Sequence, residues 1–145
     1  MKITICNSIH FFEDAKKAKI ELDKLGHEAI THPMEVEFEG KMVPVIEYYK
    51  LRKSTWNDDI ESKKELFMKE HFDRIKDSDA VLVLNIDKDG KKNYVGGNAF
   101  LEMGLAFALG KKVFMLNPIP EELSYAEEIK GMRPIIIEGD LSRVK

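Results

Sequence analysis

The residue of this sequence best suited to chemistry is Glu102, a single carboxylate within an otherwise apolar segment. Residues 98–110 read NAFLEMGLAFALG and leave almost no polar face, a pattern typical of a buried helix. A buried carboxylate must find partners, take up a proton or face a cavity, because burying an unpaired charge is costly. In the predicted first turn it would also lie at the positive end of the helix macrodipole. The alternative is that Glu102 lies exposed at the start of the helix and only complements the helix dipole.

A short glycine turn precedes this helix. Gly96 and Gly97 permit a tight turn and the close approach of a ligand, and Asn98 is a natural N-cap. The spacing matches neither the G-x-G-x-x-G dinucleotide fingerprint nor a P-loop. We therefore interpret Gly96, Gly97 and Asn98 as candidate substrate-binding residues, with an ordinary strand-to-helix turn as an equally good explanation.

Four more polar residues lie at or just beyond the ends of two predicted strands. Asn85 ends the most apolar strand and could bind a ligand, and Asp87 lies just past it and could relay a proton. Asn7 and Ser8 end the first strand and could hold a sugar or a phosphate. Turn formation by Asp87, loop bonding by Asn85 and capping of the first helix by Asn7 or Ser8 are the structural alternatives.

The elements that must position these residues alternate between strand and helix. Such alternation predicts an α/β fold, a three-layer doubly wound parallel sheet of five strands in the flavodoxin-like order 2-1-3-4-5. Ligands then bind beyond the carboxyl ends of the strands, which here means the loops after the first and third strands. The predicted strands cover residues 3–9, 27–32, 80–86, 113–116 and 134–138, and the predicted helices cover 11–25, 57–76, 98–110 and 121–130.

A long excursion at about 34–56 interrupts this alternation. It contains Tyr48, Tyr49 and Trp56 among charged residues, and a connection of this length is often a lid or a binding loop. Its aromatic rings could stack on a nucleobase or form a satellite core or a subunit interface. We expect residues 1–145 to form one domain that carries this excursion.

Composition narrows the class of protein. The 145 residues carry a net charge of −3, which gives no broad basic surface for nucleic acid. The single cysteine, Cys6, rules out an intrachain disulfide, and the four histidines have no metal-ligand spacing. No apolar run is long enough to span a bilayer, and the N-terminus lacks the pattern of a secretory signal. We expect a soluble cytoplasmic protein with no membrane contact, no metal and no cofactor.

Four short stretches together resemble the nucleoside 2-deoxyribosyltransferase superfamily, which includes 2-deoxynucleoside 5-monophosphate N-hydrolases. They are DAVLVLN at 79–85, GGN at 96–98, FLEMGLA at 100–106 and GKKV at 110–113. The resemblance implies that Glu102 is a nucleophile that attacks the anomeric carbon of a nucleoside or nucleotide, and that the resulting glycosyl-enzyme is resolved by a second base or by water. It also implies a homo-oligomer, a dimer or larger. Where the family's transferases usually have an aspartate, this chain has Tyr94 and Val95, and Asp87, which lies farther back, could substitute for it.

The chain departs from the family at the end of its first strand. Residues 6–9 read CNSI, without the tyrosine or arginine that family members often use to position the glutamate or a phosphate. A catalytically inactive nucleotide-binding or sensing module is therefore the second hypothesis. An interaction domain without a small ligand is the third.

Overall fold

The computed structural model describes residues 1–145. Its residues form two compact units, one of Met1–Thr31 with Arg74–Lys145 and the other of His32–Asp73. The strands are β1 (Lys2–Cys6), β2 (Glu28–Ile30), β3 (Glu35–Phe38), β4 (Lys41–Pro44), β5 (Ala80–Val83), β6 (Lys112–Met115) and β7 (Ile135–Ile136). The helices are α1 (Phe12–Lys24), α2 (Val45–Ser54), α3 (Asp58–Lys76), α4 (Gly97–Ala108) and α5 (Ala126–Gly131).

The first unit is built on a five-stranded sheet in the order β2-β1-β5-β6-β7. All four strand pairs are parallel. Counted along the sheet's own strands this is 2-1-3-4-5, so the predicted α/β architecture is confirmed. β5 is buried at every position, as expected of a central parallel strand that is covered on both faces.

The two faces of this sheet bury different side chains. Ile3 and Ile5 of β1 join a core with Leu82 of β5 and with Ala15 and Leu22 of α1. Because successive strand residues point to opposite faces, Thr4 and Cys6 point away from α1. α4 packs against β1, β5 and β6 and thereby covers the second face.

The ends of β1, β5 and β6 lie in register and define one edge of the sheet. Cys6 pairs with Val83, and Val83 pairs with Met115. The ladder continues for one bond beyond the strands, since Leu84 N donates to Cys6 O at 3.0 Å and Leu116 N donates to Val83 O at 3.0 Å. The loops that carry the predicted site residues therefore leave the sheet at this carboxyl edge.

The second unit shows that the excursion is not a structureless loop. β3 and β4 form an antiparallel hairpin, whose turn residues Glu39 and Gly40 have φ of 49° and 75°. These positive angles are typical of a two-residue type I′ turn. α2 follows directly, and Val36, Tyr48 and Ile60 form a small core with partly buried neighbours such as Phe67. That residues 34–56 act as a lid stays a prediction.

The helix boundaries differ in detail from the sequence-based expectation. α1 ends before Gly26, whose φ of 88° is the left-handed conformation expected of a residue that follows a helix. α5 begins only at Ala126, about five residues later than predicted. α4 begins at Gly97, one residue earlier than predicted. No helix combines the length and the apolar character that crossing a membrane would require.

Candidate active site

Glu102 lies on the inward face of α4. It is 4% exposed and shares this face with Ala99, Met103 and Ala106, which are also buried. Because α4 begins at Gly97, Glu102 falls in the second turn and not in the first. The macrodipole acts mainly within the first turn, so the expected stabilisation of the Glu102 carboxylate by the macrodipole was overstated.

The Cys6 side chain reaches Glu102 from the neighbouring strand. Cys6 Sγ and a Glu102 carboxylate oxygen lie within 4.8 Å of each other, and the thiol donates a hydrogen bond to Thr4 O of its own strand at 3.9 Å. Burial raises the pKa of this thiol well above its ordinary value, and the charge and hydrogen bond of Glu102 raise it further. Cys6 is therefore a neutral hydrogen-bond donor beside Glu102.

Asn7 and Ser8 follow Cys6 at the carboxyl edge of the sheet. Asn7 is 5% exposed, and its Nδ2 donates to Ser8 O at 2.8 Å. Asn7 Oδ1 is buried with no hydrogen-bond partner, so it is an acceptor that a ligand donor would satisfy. Ser8 precedes a 3₁₀ turn at Ile9–Phe11, but its hydroxyl makes no capping bond.

Asn85 is fully buried and joins the loops that follow β5 and β6. Its Nδ2 donates to Asn117 O at 2.8 Å and to Pro118 O at 3.0 Å, while Asn117 N donates to Asn85 Oδ1 at 2.9 Å. Asn117 Nδ2 returns a bond to Asn85 O at 3.0 Å. Both polar atoms of the Asn85 side chain are therefore hydrogen-bonded to loop backbone. This agrees with the alternative interpretation from the sequence, in which Asn85 stabilises the loop.

Asp87 lies in the same loop but is exposed. Its Oδ1 accepts a hydrogen bond from Asn93 N at 2.8 Å, and Asn93 Nδ2 donates to Pro118 O at 3.1 Å. Asp89 and Gly90, with φ of 49° and 76°, form the turn that the sequence predicts. Asp87 therefore stabilises the loop, and its role as a proton donor stays a prediction.

The start of α4, which follows the glycine turn, is open and has no side-chain cap. Gly96 is the N-cap, with φ of −76° and no side-chain bond to the helix, so the expectation that Asn98 caps α4 was wrong. Both Gly97 and Asn98 are exposed. A Cβ added at Gly97 would meet nothing within 4 Å, which leaves room for a ligand beside the helix start.

An aromatic cluster also lies at the start of α4. The Phe100 and Tyr125 rings are 4.6 Å apart between centroids, and the Tyr125 hydroxyl donates a hydrogen bond to Val95 O. Burial, followed by the neighbouring Tyr94, raises the pKa of Tyr125. These contacts attach the start of α5 to the segment that leads into α4.

Apart from the glycine turn before α4, the structure sorts the predicted site residues into two groups. One is the buried Glu102 together with Asn7 and Ser8, which directly follow its neighbour Cys6 in the chain. The other is the loop network that contains Asn85 and Asp87. No role in the site was predicted for Cys6 from the sequence, because no local pattern links it to Glu102, which lies far along the chain. Nor was Asn93, six residues from Asp87, identified as the partner of that carboxylate.

Comparison with known proteins identifies the fold. No family model matches the chain, and no curated protein is significantly similar to it. Among solved structures, the 2-deoxyribosyltransferase of the psychrotolerant bacterium Bacillus psychrosaccharolyticus is similar over 100% of this chain and 93% of its own, with a TM-score of 0.64 and 18% identity. The protein thus has the fold of a nucleoside 2-deoxyribosyltransferase.

A second solved structure is less similar. It is the CMP N-glycosidase BcmB of Clostridium botulinum, with a TM-score of 0.48 and 18% identity over 95% of this chain and 90% of that one. A similarity at this level supports no conclusion about the present chain.

Proposed function

We propose that this protein is an enzyme that cleaves or exchanges the N-glycosidic bond of a nucleoside or nucleotide, with Glu102 as its nucleophile. The observation that carries the proposal is the burial of Glu102, the only charged residue of α4, in a chain with the fold of a 2-deoxyribosyltransferase. Such a fold hosts many functions in principle, so the argument depends on the chemistry of the site.

The reaction would proceed in two displacements. A Glu102 oxygen forms a bond to the anomeric carbon while the bond from that carbon to the base nitrogen breaks, and the base leaves with a proton from a general acid. Asp87 is the candidate acid, and the hydrogen bond from Asn93 N to its Oδ1 orients the carboxyl group. Water or a second base then attacks the anomeric carbon and gives its proton to the group that acted as the acid, while the bond from that carbon to Glu102 breaks and Glu102 returns as a carboxylate.

Substrate binding would involve the residues at the carboxyl edge and the start of α4. Asn7 Oδ1 is a buried acceptor, so it fits a sugar hydroxyl, which can donate a hydrogen bond, better than a phosphate oxygen, which cannot. The open surface beside Gly97 and Asn98 and the Ser8 hydroxyl complete the proposed site. We assign Asn85, Gly96 and the loop at 117–118 the role of holding this edge in place.

The direct test is incubation with a panel of deoxyribonucleosides, ribonucleosides and their monophosphates, with and without an acceptor base. We expect release of free base or formation of an exchanged nucleoside by chromatography. Glu102→Gln should lower kcat by roughly 10³-fold or more, the scale on which loss of a nucleophile acts. Mass spectrometry of the wild type should detect a glycosyl group on the peptide that contains Glu102.

The matched control is Glu127→Gln, which makes the same change at an exposed position of α5 and should retain full activity. Calorimetry with the same panel separates the hypotheses that the sequence left open. Binding without turnover by the wild type would replace the enzyme by an inactive nucleotide-binding module. Neither binding nor turnover would favour an interaction domain.

We also propose that the protein is a homo-oligomer, a dimer or larger, that associates through the outward face of α4. Leu101 and Phe107 are 51% and 54% exposed, and the one charged residue of the helix points inward. An uncharged apolar surface of this kind is typical of an association site. Sedimentation velocity at micromolar concentration should show an oligomer for the wild type and a monomer for Leu101→Lys, whereas a monomeric wild type would contradict the proposal.

A further inference from the structure

The thiol of Cys6 is buried against the proposed nucleophile. Cys6 is the last residue of β1, is 0% exposed and pairs in register with Val83 of β5. Its side chain lies on the face of the sheet that α4 covers, and its Sγ lies within 4.8 Å of a Glu102 carboxylate oxygen. The two groups come from positions 96 residues apart in the chain.

This thiol has a single proton and more than one acceptor nearby. In the structure it donates to Thr4 O of its own strand at 3.9 Å, and a Glu102 carboxylate oxygen lies within 4.8 Å of the same sulfur and raises the pKa of the thiol. A carboxylate is a stronger acceptor than a neutral carbonyl because it carries a charge. The S–H group should therefore point to Glu102 while that residue is ionised.

We propose that Cys6 is a positioning residue for Glu102, holding one carboxylate oxygen toward β1 so that the other is oriented for attack. When Glu102 becomes a neutral ester with the sugar, the S–H group can turn toward Thr4 O. When the ester is cleaved, it can turn back. No proton or electron is transferred to or from sulfur at any step. This inference rests on the proposed function, since it assigns Cys6 a part in that reaction.

Three substitutions separate positioning from simple packing. Cys6→Ser keeps a donor at the same place, whereas Cys6→Ala and Cys6→Val remove it, and Val fills the space best. If the donor matters, kcat should fall about tenfold in Cys6→Ala and Cys6→Val, the rate equivalent of one lost hydrogen bond. In Cys6→Ser it should stay within about threefold of the wild type. KM should change little in all three.

A packing role predicts the opposite order. Cys6→Val would then be the most active variant and Cys6→Ser the least active, because a buried hydroxyl is harder to accommodate than a methyl group. Such an order, or equal kcat in all three variants and the wild type, would overturn the inference. Circular dichroism confirms that each variant is folded before its activity is compared.

A second measurement reports on the contact without any activity. Cys6 is the only cysteine, so the infrared S–H stretching band of the protein comes from one group. We expect the band to lie at lower frequency in the wild type than in Glu102→Ala, since hydrogen bonding weakens the S–H bond. The band must disappear in Cys6→Ser, which verifies its assignment.

The outcomes distinguish the two proposals. An S–H band with the same frequency in wild type and Glu102→Ala overturns the Cys6 contact alone, even if the wild type cleaves nucleosides. A wild type that turns over no member of the panel overturns the proposed function and with it the catalytic part of this inference. A shifted band together with near-normal kcat in Cys6→Ser supports both proposals.

Discussion

Replacement of Asn85 by alanine should remove the hydrogen bonds that link the loop after β5 to the loop after β6, and should thereby lower the stability of the protein. Asn85 is fully buried, and its amide bonds to Asn117 and Pro118 link the loop after β5 to the loop after β6. Alanine keeps the backbone and removes every one of these side-chain bonds. The backbone N–H and C=O of Asn117 then lose their partner.

The expected loss in the free energy of unfolding depends on the number of hydrogen bonds that water cannot readily replace. The two bonds to the Asn117 backbone, at 2.8 and 2.9 Å, are each worth about 1 kcal/mol net. Pro118 is exposed, so water can satisfy its carbonyl and that bond adds little. We therefore expect Asn85→Ala to lower the free energy of unfolding by about 2 kcal/mol.

Urea unfolding followed by circular dichroism measures this loss directly. Asn98→Ala is the matched control, since it makes the same change at an exposed position of α4 and should stay within about 0.5 kcal/mol of the wild type. The double variant Asn85→Ala/Asn117→Ala tests the pairing, because residues in one network do not add independently. A loss below about 0.5 kcal/mol in Asn85→Ala would refute the network as a stabilising element.

Two further predictions follow from buried groups. Because the pKa of the Cys6 thiol is raised above 9.0, the unfolded chain releases this proton before the folded chain does, so the free energy of unfolding should fall as pH rises above about 9. Urea unfolding at increasing pH should show a smaller decline for Cys6→Ser, and an identical pH dependence would contradict the raised pKa. Tyr48→Phe should leave the stability unchanged or raise it by up to about 1 kcal/mol, because the hydroxyl is buried without a partner and the edge contacts with Phe38 and Phe67 remain. A melting temperature well below that of the wild type would show that the hydroxyl is satisfied.

The sheet could be predicted because its pattern is local. Runs such as AVLV at 80–83 read as buried strands, and the helices between them have clear apolar spacing. The hairpin at residues 35–44 was missed for a local reason as well. Its turn is Glu39-Gly40, and glutamate is not among the residues that usually signal a type I′ turn, so no strong hairpin signal was present.

The site was predictable only in part, because its contacts join distant segments. Glu102 stands out in the sequence as a charge among apolar residues, and its burial bears out that interpretation. Its place in the second turn depends on where α4 starts, and helix ends are the least certain feature of any sequence-based prediction.

The amino-acid order by itself determined the alternation of strands and helices, the apolar helix and its single carboxylate, since these depend on periodicity and composition within short windows. Only the tertiary structure decided that the Cys6 thiol lies beside the Glu102 carboxylate and that the Asn85 side chain is hydrogen-bonded to the backbone of Asn117. The same is true of Asn7 Oδ1, which is buried without a hydrogen-bond partner. Hydrogen bonds are short and directional, so which groups meet depends on the final packing of elements that lie up to about a hundred residues apart.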